Sequence, residues 1–378
     1  MRAPSTMRRA LAAGALALAA LLPTALPTQA GAAPRGLADR LDAAVRQTMA
    51  EAGIPGVVVG LWRPGHRDYV RSFGVADTAT GLPVDEDMYF RIGSETKTFT
   101  VTALLELVDD CVIGLDDPIS KYIDGVRDGE HITLRQLAEM RSGLFSYTSD
   151  ADLLKAYLSA PERQWAPEQL LPYGMKHDNL FPPGTEFDYS NSNLLLLGLV
   201  IEKVTGRDLA SVIHDRVLRP SRLHRTLFPS GAEFPTPHPH GYSNQTLTGE
   251  TADTTNWNPS WAWSAGAMIS TLHDLRVWAE DLATGTLLSA RTQAQRLNGL
   301  PTGIPDTTYG LGIFNTHGWI GHDGSIPGYE SVAVYLPDED ATLVVLLNTD
   351  SQHGGKAPSS LLAKAITTLA TPNHIYGG

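Results

Sequence analysis

The sequence of 378 residues contains one cysteine, Cys111. A single cysteine forms no intramolecular disulfide and cannot supply a cysteine-type zinc site, so the fold has to be held by its hydrophobic core. No histidine or basic cluster adjoins Cys111 in the sequence, and we expect a small buried hydrophobic residue after a helix rather than a reactive thiol. Cysteine-nucleophile chemistry is therefore excluded.

Basic residues are also scarce, with 29 Lys and Arg against 41 Asp and Glu and a formal net charge of −12. This balance disfavours nucleic acid and anionic lipid as partners. Hydrophobic residues make up 42% of the chain, and its 35 Gly and 25 Pro follow no repeat, which excludes disordered, coiled-coil and collagen-like proteins. The composition is typical of a loop-rich globular enzyme that acts on small molecules.

No apolar run approaches the ~20 residues of a membrane-spanning helix. The run over residues 10–22 follows Arg8 and Arg9 and precedes a Pro-broken segment of small residues that ends near Ala30 or Ala32. This pattern predicts a secretory signal peptide over residues 1–32. We therefore expect a secreted, extracellular monomer without a membrane anchor.

Strand patterns lie near both ends of the chain and helical patterns lie between them. The expected strands span residues 56–62, 68–73, 309–314, 319–322, 331–336 and 342–347, and the expected helices begin near residues 37, 94, 134, 194, 272 and 357. We expect a mixed α/β fold in which residues 33–90 and 286–378 form an antiparallel sheet flanked by helices, and residues 91–285 form a mainly helical insertion. A cleft between these two parts is the expected site.

Ser94 and Lys97 form the one Ser-x-x-Lys of the chain and stand at the start of an expected central helix. Residues three apart in the first turn share a face, so the hydroxyl and the amine can form a hydrogen bond. Burial near the positive end of the helix dipole would lower the pKa of Lys97 and let it act as a base. By itself this spacing is equally compatible with a helix cap beside a solvent-exposed lysine.

Tyr189 and Asn191 lie just before another apolar helix. A phenol near a neutral lysine can relay a proton to a leaving group, and a carboxamide can hold the lysine and bind an acyl amide. Tyr242 and Asn244 have the same spacing, but they lie in a loop rich in His, Pro and Gly, so we prefer the first pair.

His322, Gly324 and Ser325 follow a strand-like stretch. A strand edge beside a serine nucleophile can offer a backbone N–H to an oxyanion, glycine permits close approach of substrate, and histidine can assist proton transfer. His353 and Gly355 repeat the His-x-Gly spacing in a loop after the last strand.

The three motifs and their order resemble the penicillin-recognising serine hydrolases, which comprise the serine β-lactamases and the penicillin-binding DD-peptidases. The resemblance spans almost the whole chain after residue 37. Further similar stretches are residues 132–137, 141–144, 181–185 and 261–270.

A histidine at the first position of the third motif is similar to the soluble, exported D-alanyl-D-alanine carboxypeptidases of actinomycetes and to related D-peptidases and esterases. The resemblance implies a bacterial hydrolase without a cofactor or metal. It also implies roles for individual residues: Ser94 as nucleophile, Lys97 and Tyr189 as proton carriers, His322 as their assistant, the backbone N–H groups of Ser94 and Ser325 as oxyanion hole, and Trp261 in the pocket wall.

Two positions depart from those carboxypeptidases. Phe314 stands where they have a basic residue that holds the substrate carboxylate, and Asp323 stands where they have a hydroxyl residue. A carboxylate at this point repels an anionic C-terminus by about 1 kcal/mol or more when partly desolvated. A neutral ester or amide, or a substrate that presents an ammonium group to Asp323, is physically easier to accept.

The main hypothesis is a carboxypeptidase-like serine hydrolase that forms an acyl-enzyme at Ser94. The alternatives are an esterase, a D-amino acid amidase or aminopeptidase, and a penicillin-binding sensor with slow turnover. The expected substrates are a small peptide, an ester or a β-lactam.

Three other patterns carry weaker hypotheses. Residues 262–266 approach the nucleophile-elbow motif but lack a preceding buried strand. His238 and His240 lack a third metal ligand at a useful spacing. The tryptophans near residue 261 are compatible with a sugar-stacking platform, although a cleft wall or core is favoured.

Overall fold

The computed structural model describes residues 36–377. The signal peptide predicted over residues 1–32 lies outside this range. The strands are β1 (Gly56–Trp62), β2 (Tyr69–Asp77), β3 (Leu82–Pro83), β4 (Tyr89–Arg91), β5 (Tyr242–Ser243), β6 (Ala252–Asp253), β7 (Ile269–Thr271), β8 (Leu300–Pro301), β9 (Thr307–Tyr309), β10 (Phe314–Thr316), β11 (Trp319–Ile326), β12 (Tyr329–Leu336) and β13 (Ala341–Leu347). The helices are α1 (Leu37–Ala52), α2 (Thr96–Asp109), α3 (Leu134–Ala138), α4 (Ala151–Ser159), α5 (Pro167–Met175), α6 (Asn191–Thr205), α7 (Leu209–Ile213), α8 (Leu272–Thr284), α9 (Ala290–Leu297) and α10 (Pro358–Ala370).

Nine strands form one antiparallel sheet in the order β3-β2-β1-β13-β12-β11-β10-β9-β8. Its centre joins the two ends of the described chain, because β1 pairs with β13 from Val57 opposite Leu347 to Trp62 opposite Thr342. Helices cover the sheet, and the region between the early and late strands is mainly helical. The expected mixed α/β fold is confirmed, while the domain boundaries at residues 90/91 and 285/286 stay a prediction.

Both faces of the central strands are buried, since every residue of β1 and β13 is shielded from solvent. On one face α1 and α10 enclose a core that contains Leu41, Leu343 and Leu362. The other face packs against α8 and a larger core that includes α2. Residues 96–105 of α2 are all buried, as expected of a central helix.

Two local expectations were wrong. Residues 309–314 do not form one strand, because β9 ends at Tyr309 and a turn with Gly312 at φ 71° leads into β10. Cys111 is exposed rather than buried, because the chain leaves the end of α2 there with a positive φ of 58°. Across residues 36–377 we find no helix with both the length and the hydropathy for a membrane span.

Candidate active site

The predicted nucleophile, Ser94, and its predicted base, Lys97, lie one turn apart, as the spacing predicts. Ser94 is in a short 3₁₀ turn, Gly93–Glu95, that continues directly into α2. Lys97 Nζ lies 2.7 Å from Ser94 Oγ and donates a hydrogen bond of 2.8 Å to the carbonyl oxygen of Ala265. The amine is thus held between the Ser94 hydroxyl, whose proton it would accept, and the Ala265 carbonyl, which fixes its position.

Lys97 is fully buried. Burial lowers the pKa of Lys97 to about 7, and the nearby charge of Asp323 opposes this shift only in part. A large share of the side chain is therefore neutral near pH 7, and a neutral amine can accept the hydroxyl proton of Ser94.

Two glycines let the 3₁₀ turn pack directly against β11. A Cβ on Gly93, which has φ +50°, would lie 2.6 Å from the backbone nitrogen of Ser325. A Cβ on Gly324 would lie 1.9 Å from the carbonyl oxygen of Ile92. This close approach brings the backbone of Ser94 beside that of Ser325, where their two N–H groups can stabilise an oxyanion.

Tyr189 and His322 approach this pair from α6 and β11. Tyr189 lies just before α6, and its ring centre is 4.8 Å from Lys97 Nζ. Its hydroxyl is within 3.5 Å of His322 Nε2. Burial, reinforced by the neighbouring Tyr309, raises the pKa of Tyr189 well above its usual value, so the phenol keeps its proton. All four predicted catalytic side chains are brought together.

His322 is neutral and has a defined tautomer. Burial, and then the charge of Lys97, lowers the pKa of His322 to about 3. Its Nδ1 contacts the carbonyl oxygen of Asp323 at 2.5 Å, and a carbonyl can only accept, so Nδ1 carries the proton. Nε2 is then an acceptor for the hydroxyls of Tyr189 and Tyr309, the latter at 3.3 Å. His322 therefore orients phenol protons rather than carrying a charge.

Phe314 lies against this cluster from β10. Its ring centre is 5.0 Å from that of His322, 4.5 Å from that of Tyr309 and 6.3 Å from that of Tyr189. The position therefore contributes an aromatic surface and no charge.

Asn191 has a different partner from the one expected. Its Nδ2 donates 2.9 Å to Thr148 Oγ1, and its backbone N–H donates 3.1 Å to Ser146 Oγ. Lys97 is anchored by the Ala265 carbonyl, so the carboxamide is not needed to hold the amine. Asn191 instead lies on the wall of the cleft with its carbonyl oxygen available to a substrate N–H.

A small cavity of about 30 Å³ lies beside Ser94. The lining residues are Ser94, Tyr147, Thr148, Asn191, Trp261, Ala262, Ala265, Gly266, Ser325 and Ile326. Trp261 therefore lies where it was expected, and Tyr147 supports it by donating 2.8 Å to its carbonyl oxygen. Its wall carries no charged side chain.

The second copies of the Tyr-x-Asn and His-x-Gly spacings, and the elbow-like stretch, have structural roles outside the site. The hydroxyl of Tyr242 accepts a 2.9 Å hydrogen bond from the backbone of Thr78. His353 lies in a turn with Lys356 ahead of α10. Ser264, the centre of the elbow-like stretch, is buried and donates to the Leu194 carbonyl, so it is no nucleophile.

The remaining alternatives also have ordinary structural explanations. His238 contacts a backbone carbonyl and His240 contacts Asp253. No three His, Cys, Asp or Glu side chains within residues 36–377 are grouped as metal ligands. Trp261 packs with Tyr157 at 4.7 Å, which is a cleft wall backed by core.

The sequence hypotheses missed three members of the site. The Ala265 carbonyl binds Lys97, Tyr309 shares His322 with Tyr189, and Thr148 binds Asn191. A backbone carbonyl leaves no signal in a sequence. Tyr309 precedes a Gly-Leu-Gly stretch and could have been singled out on that basis.

Solved structures support the architecture. A D-stereospecific amidohydrolase from Streptomyces sp. has a TM-score of 0.78 and 32% identity, covering 87% of this chain and 98% of that chain. The D-amino acid amidase from Ochrobactrum anthropi SV3 complexed with D-phenylalanine has a TM-score of 0.78 at 25% identity, covering 88% and 98% respectively.

Curated sequences and a family model agree with this similarity. A D-aminopeptidase from Cereibacter sphaeroides is 28% identical over 328 residues, which is 82% of this chain and 60% of that protein. The chain thus spans about 60% of the length of such a relative. The family model described as Beta-lactamase matches residues 41–365. With its Ser-Lys pair in the expected fold, this chain belongs to the beta-lactamase family, within the penicillin-recognising superfamily of serine hydrolases.

Proposed function

We propose that this chain is an amidohydrolase that cleaves amides of D-amino acids through an acyl-enzyme at Ser94. The observation that carries the catalytic half of the proposal is the 2.7 Å contact between Ser94 Oγ and a buried lysine whose pKa is about 7. The substrate half is supported by the D-aminopeptidase, D-amino acid amidase and D-stereospecific amidohydrolase to which the chain is similar.

Acylation follows from the geometry. Lys97 takes the proton of Ser94 while Oγ bonds to the carbonyl carbon, and the carbonyl electron pair moves to oxygen beside the N–H groups of Ser94 and Ser325. When the carbonyl re-forms, the C–N bond breaks and the leaving nitrogen takes the proton of Tyr189, which recovers one from Lys97. Water then attacks the acyl carbon by the same route and releases Ser94.

The carboxypeptidase hypothesis has less support. A D-alanyl-D-alanine substrate ends in a carboxylate, and the cleft presents the Asp323 carboxylate and the uncharged Phe314 on that side. Lys97 is buried and already engaged with Ser94. A substrate that ends in an amide has no terminal carboxylate and avoids this repulsion.

The test is a substrate panel on purified protein: D-phenylalanine amide, L-phenylalanine amide, a diacyl-D-alanyl-D-alanine peptide and p-nitrophenyl acetate. We expect the D-amide to be cleaved with a higher kcat/KM than the L-amide and the peptide, and Ser94→Ala to abolish all turnover. Faster release of D-alanine from the peptide would favour the carboxypeptidase. Efficient cleavage of the ester alone would favour the esterase.

Mass spectrometry with a β-lactam separates a hydrolase from a sensor. An adduct on Ser94 that forms and is then released within the assay is expected of an enzyme with turnover. Permanent retention of the adduct, together with inactivity on the panel, would instead support the penicillin-binding sensor.

We also propose that the protein is exported, on the strength of the sequence pattern in residues 1–32. Expression of the full chain in a bacterium should yield a protein in the medium whose N-terminus begins after Ala30 or Ala32. An intact N-terminus in the cell pellet would contradict this.

A further inference from the structure

The carboxylate of Asp323 is a charged group at the site that the proposed reaction does not use. Its side chain is 43% exposed, and its nearest basic atom among the described residues is His322 Nδ1, 3.5 Å from Oδ1. Because His322 is neutral, this contact is no ion pair. No side-chain hydrogen bond found within residues 36–377 has this carboxylate as its acceptor. Burial raises the pKa of Asp323, and its own backbone N–H and the charge of Lys97 oppose this rise. Asp323 is therefore a partly exposed carboxylate without an ion-pair partner among the described residues.

The position of Asp323 corresponds to the leaving-group side. Tyr189, which delivers the leaving-group proton, contacts His322, and neither side chain lines the cavity that contains Ser94, Asn191 and Trp261. In the proposed mechanism the leaving group takes its proton from Tyr189, so it lies toward Tyr189 and His322. Asp323 follows His322 along β11, and its Oδ1 lies 3.5 Å from His322 Nδ1.

The unpaired edge of β11 is the surface along which that leaving group can lie. Pairing with β10 ends at Gly321, so residues 322–326 have no strand partner on that side among the described residues. From Ser325, at the oxyanion position, back to Asp323 is two residues, or roughly 7 Å. Side chains two apart in a strand share a face, so a group that leaves the scissile bond along this edge meets Asp323 within a few bonds.

The charge of Asp323 reaches the reacting groups. Burial dominates the pKa values of Lys97, Tyr189 and Tyr309, and the negative charge of Asp323 raises all three. Phe314, on the neighbouring strand, adds an aromatic ring and no cation. A positive leaving group is attracted by this carboxylate and tolerated by the aromatic face, whereas a negative one is repelled.

We propose that Asp323 is a specificity-determining residue that selects substrates whose leaving group carries a positive charge, such as amides of diamines and esters of amino alcohols. For D-aminoacyl substrates this rests on the proposed function, and it adds the class of leaving group to it.

The test uses three D-alanyl amides of similar size whose leaving groups differ in charge. They are the cationic aminoethyl amide, the neutral propyl amide and the anionic dipeptide D-alanylglycine. We expect kcat/KM to decrease in that order, with roughly a tenfold difference between the cationic and anionic members at low salt. Raising the ionic strength should narrow the difference, because salt screens an exposed carboxylate.

Three variants test whether the charge preference for the leaving group is due to Asp323. Asp323→Asn should bring the cationic-to-anionic ratio close to one while the propyl amide is still cleaved, which also shows that the variant is folded. Asp323→Lys should reverse the order. Asp338→Asn, which removes the same charge in the turn after β12, should leave the ratio unchanged. An unchanged ratio in Asp323→Asn, or equal rates for all three amides with the wild type, would overturn the proposal.

A second series separates this inference from the proposed function. The acetate ester of choline, 3,3-dimethylbutyl acetate and acetoxyacetate carry a cationic, a neutral and an anionic leaving group on an acyl group without a D-centre. If D-alanyl amides are not cleaved but these esters follow the predicted order, the proposed function fails and the role of Asp323 stands. If D-alanyl amides are cleaved without preference for the charge of the leaving group, the proposed function stands and the role of Asp323 fails.

Discussion

At the residue scale, the reactivity of the site depends on Lys97 losing its proton near neutral pH. In the proposed mechanism the neutral amine is the active form, and burial lowers its pKa to about 7. We therefore predict that kcat/KM rises with pH through a midpoint near 7 and then reaches a plateau. The measurement uses p-nitrophenyl acetate between pH 5 and 9, because this ester has no titrating group in the range. The product is read at its isosbestic wavelength, because p-nitrophenol itself titrates near neutral pH.

The same experiment has an internal check. The charge of Asp323 raises the pKa of Lys97, so its removal in Asp323→Asn should move the midpoint to lower pH. His322, with a pKa of about 3, is too far below this range to produce the acid limb. A flat profile, or a midpoint that moves upward in the variant, would contradict the assignment of Lys97 as the base.

Tyr309 is a matched control for Tyr189, the proposed donor of the leaving-group proton. Both hydroxyls reach His322 Nε2, but only the ring of Tyr189 lies over Lys97 Nζ. Tyr189→Phe should reduce kcat on an amide by about 10²–10⁴-fold, and much less on p-nitrophenyl acetate, whose leaving group needs no proton. Tyr309→Phe should cost far less on both substrates. Equal losses on the amide would show that Tyr189 is not the donor.

At the scale of elements, the oxyanion site depends on the contact between the 3₁₀ turn and β11. The methyl group of Gly324→Ala would overlap the Ile92 carbonyl at 1.9 Å, and backbone on both sides leaves little room for relaxation. We predict that this variant loses acylation by p-nitrophenyl acetate and about 1–3 kcal/mol of unfolding free energy.

Gly36→Ala is the control for that substitution, since the nearest atom to its new Cβ is a side-chain oxygen 3.8 Å away, before α1. Burst kinetics and urea unfolding of both variants are the measurements. Wild-type acylation by Gly324→Ala would mean that the turn and the strand need not touch.

At the scale of the whole molecule, the two chain ends meet in the core between the sheet and the helices α1 and α10. Ile366 of α10 is fully buried there, far from the catalytic groups in the sequence. Ile366→Ala should lower the unfolding free energy by about 2–5 kcal/mol, measured in urea, with kcat of the folded protein unchanged. Leu247→Ala, at a side chain that is 62% exposed, should change it by no more than about 0.5 kcal/mol.

Assembly is a second property at this scale. The sequence predicts a monomer. Sedimentation equilibrium of the purified chain should give the monomer mass. A larger mass at micromolar concentration would show that another surface mediates association.

The sequence by itself determined the features that depend on neighbours along the chain. Apolar runs such as residues 56–62 specify buried strands, and a serine and a lysine three residues apart meet in one helical turn wherever that turn is placed. The motif order also identified the family. Cys111 was the exception, because its exposure depends on how the chain leaves α2 and not on its chemical type.

Only the tertiary structure decided how the catalytic groups are tuned. Lys97 is bound by a carbonyl 168 residues away, and Asn191 by a threonine 43 residues away. The pKa of Lys97 falls because distant elements exclude water from it, and a backbone acceptor has no side chain to leave a trace in the sequence. Asp323 is a further example of a feature that only the tertiary structure decides. The sequence shows a carboxylate at this position, but that it has no ion-pair partner among the described residues is seen only once the strands and helices pack.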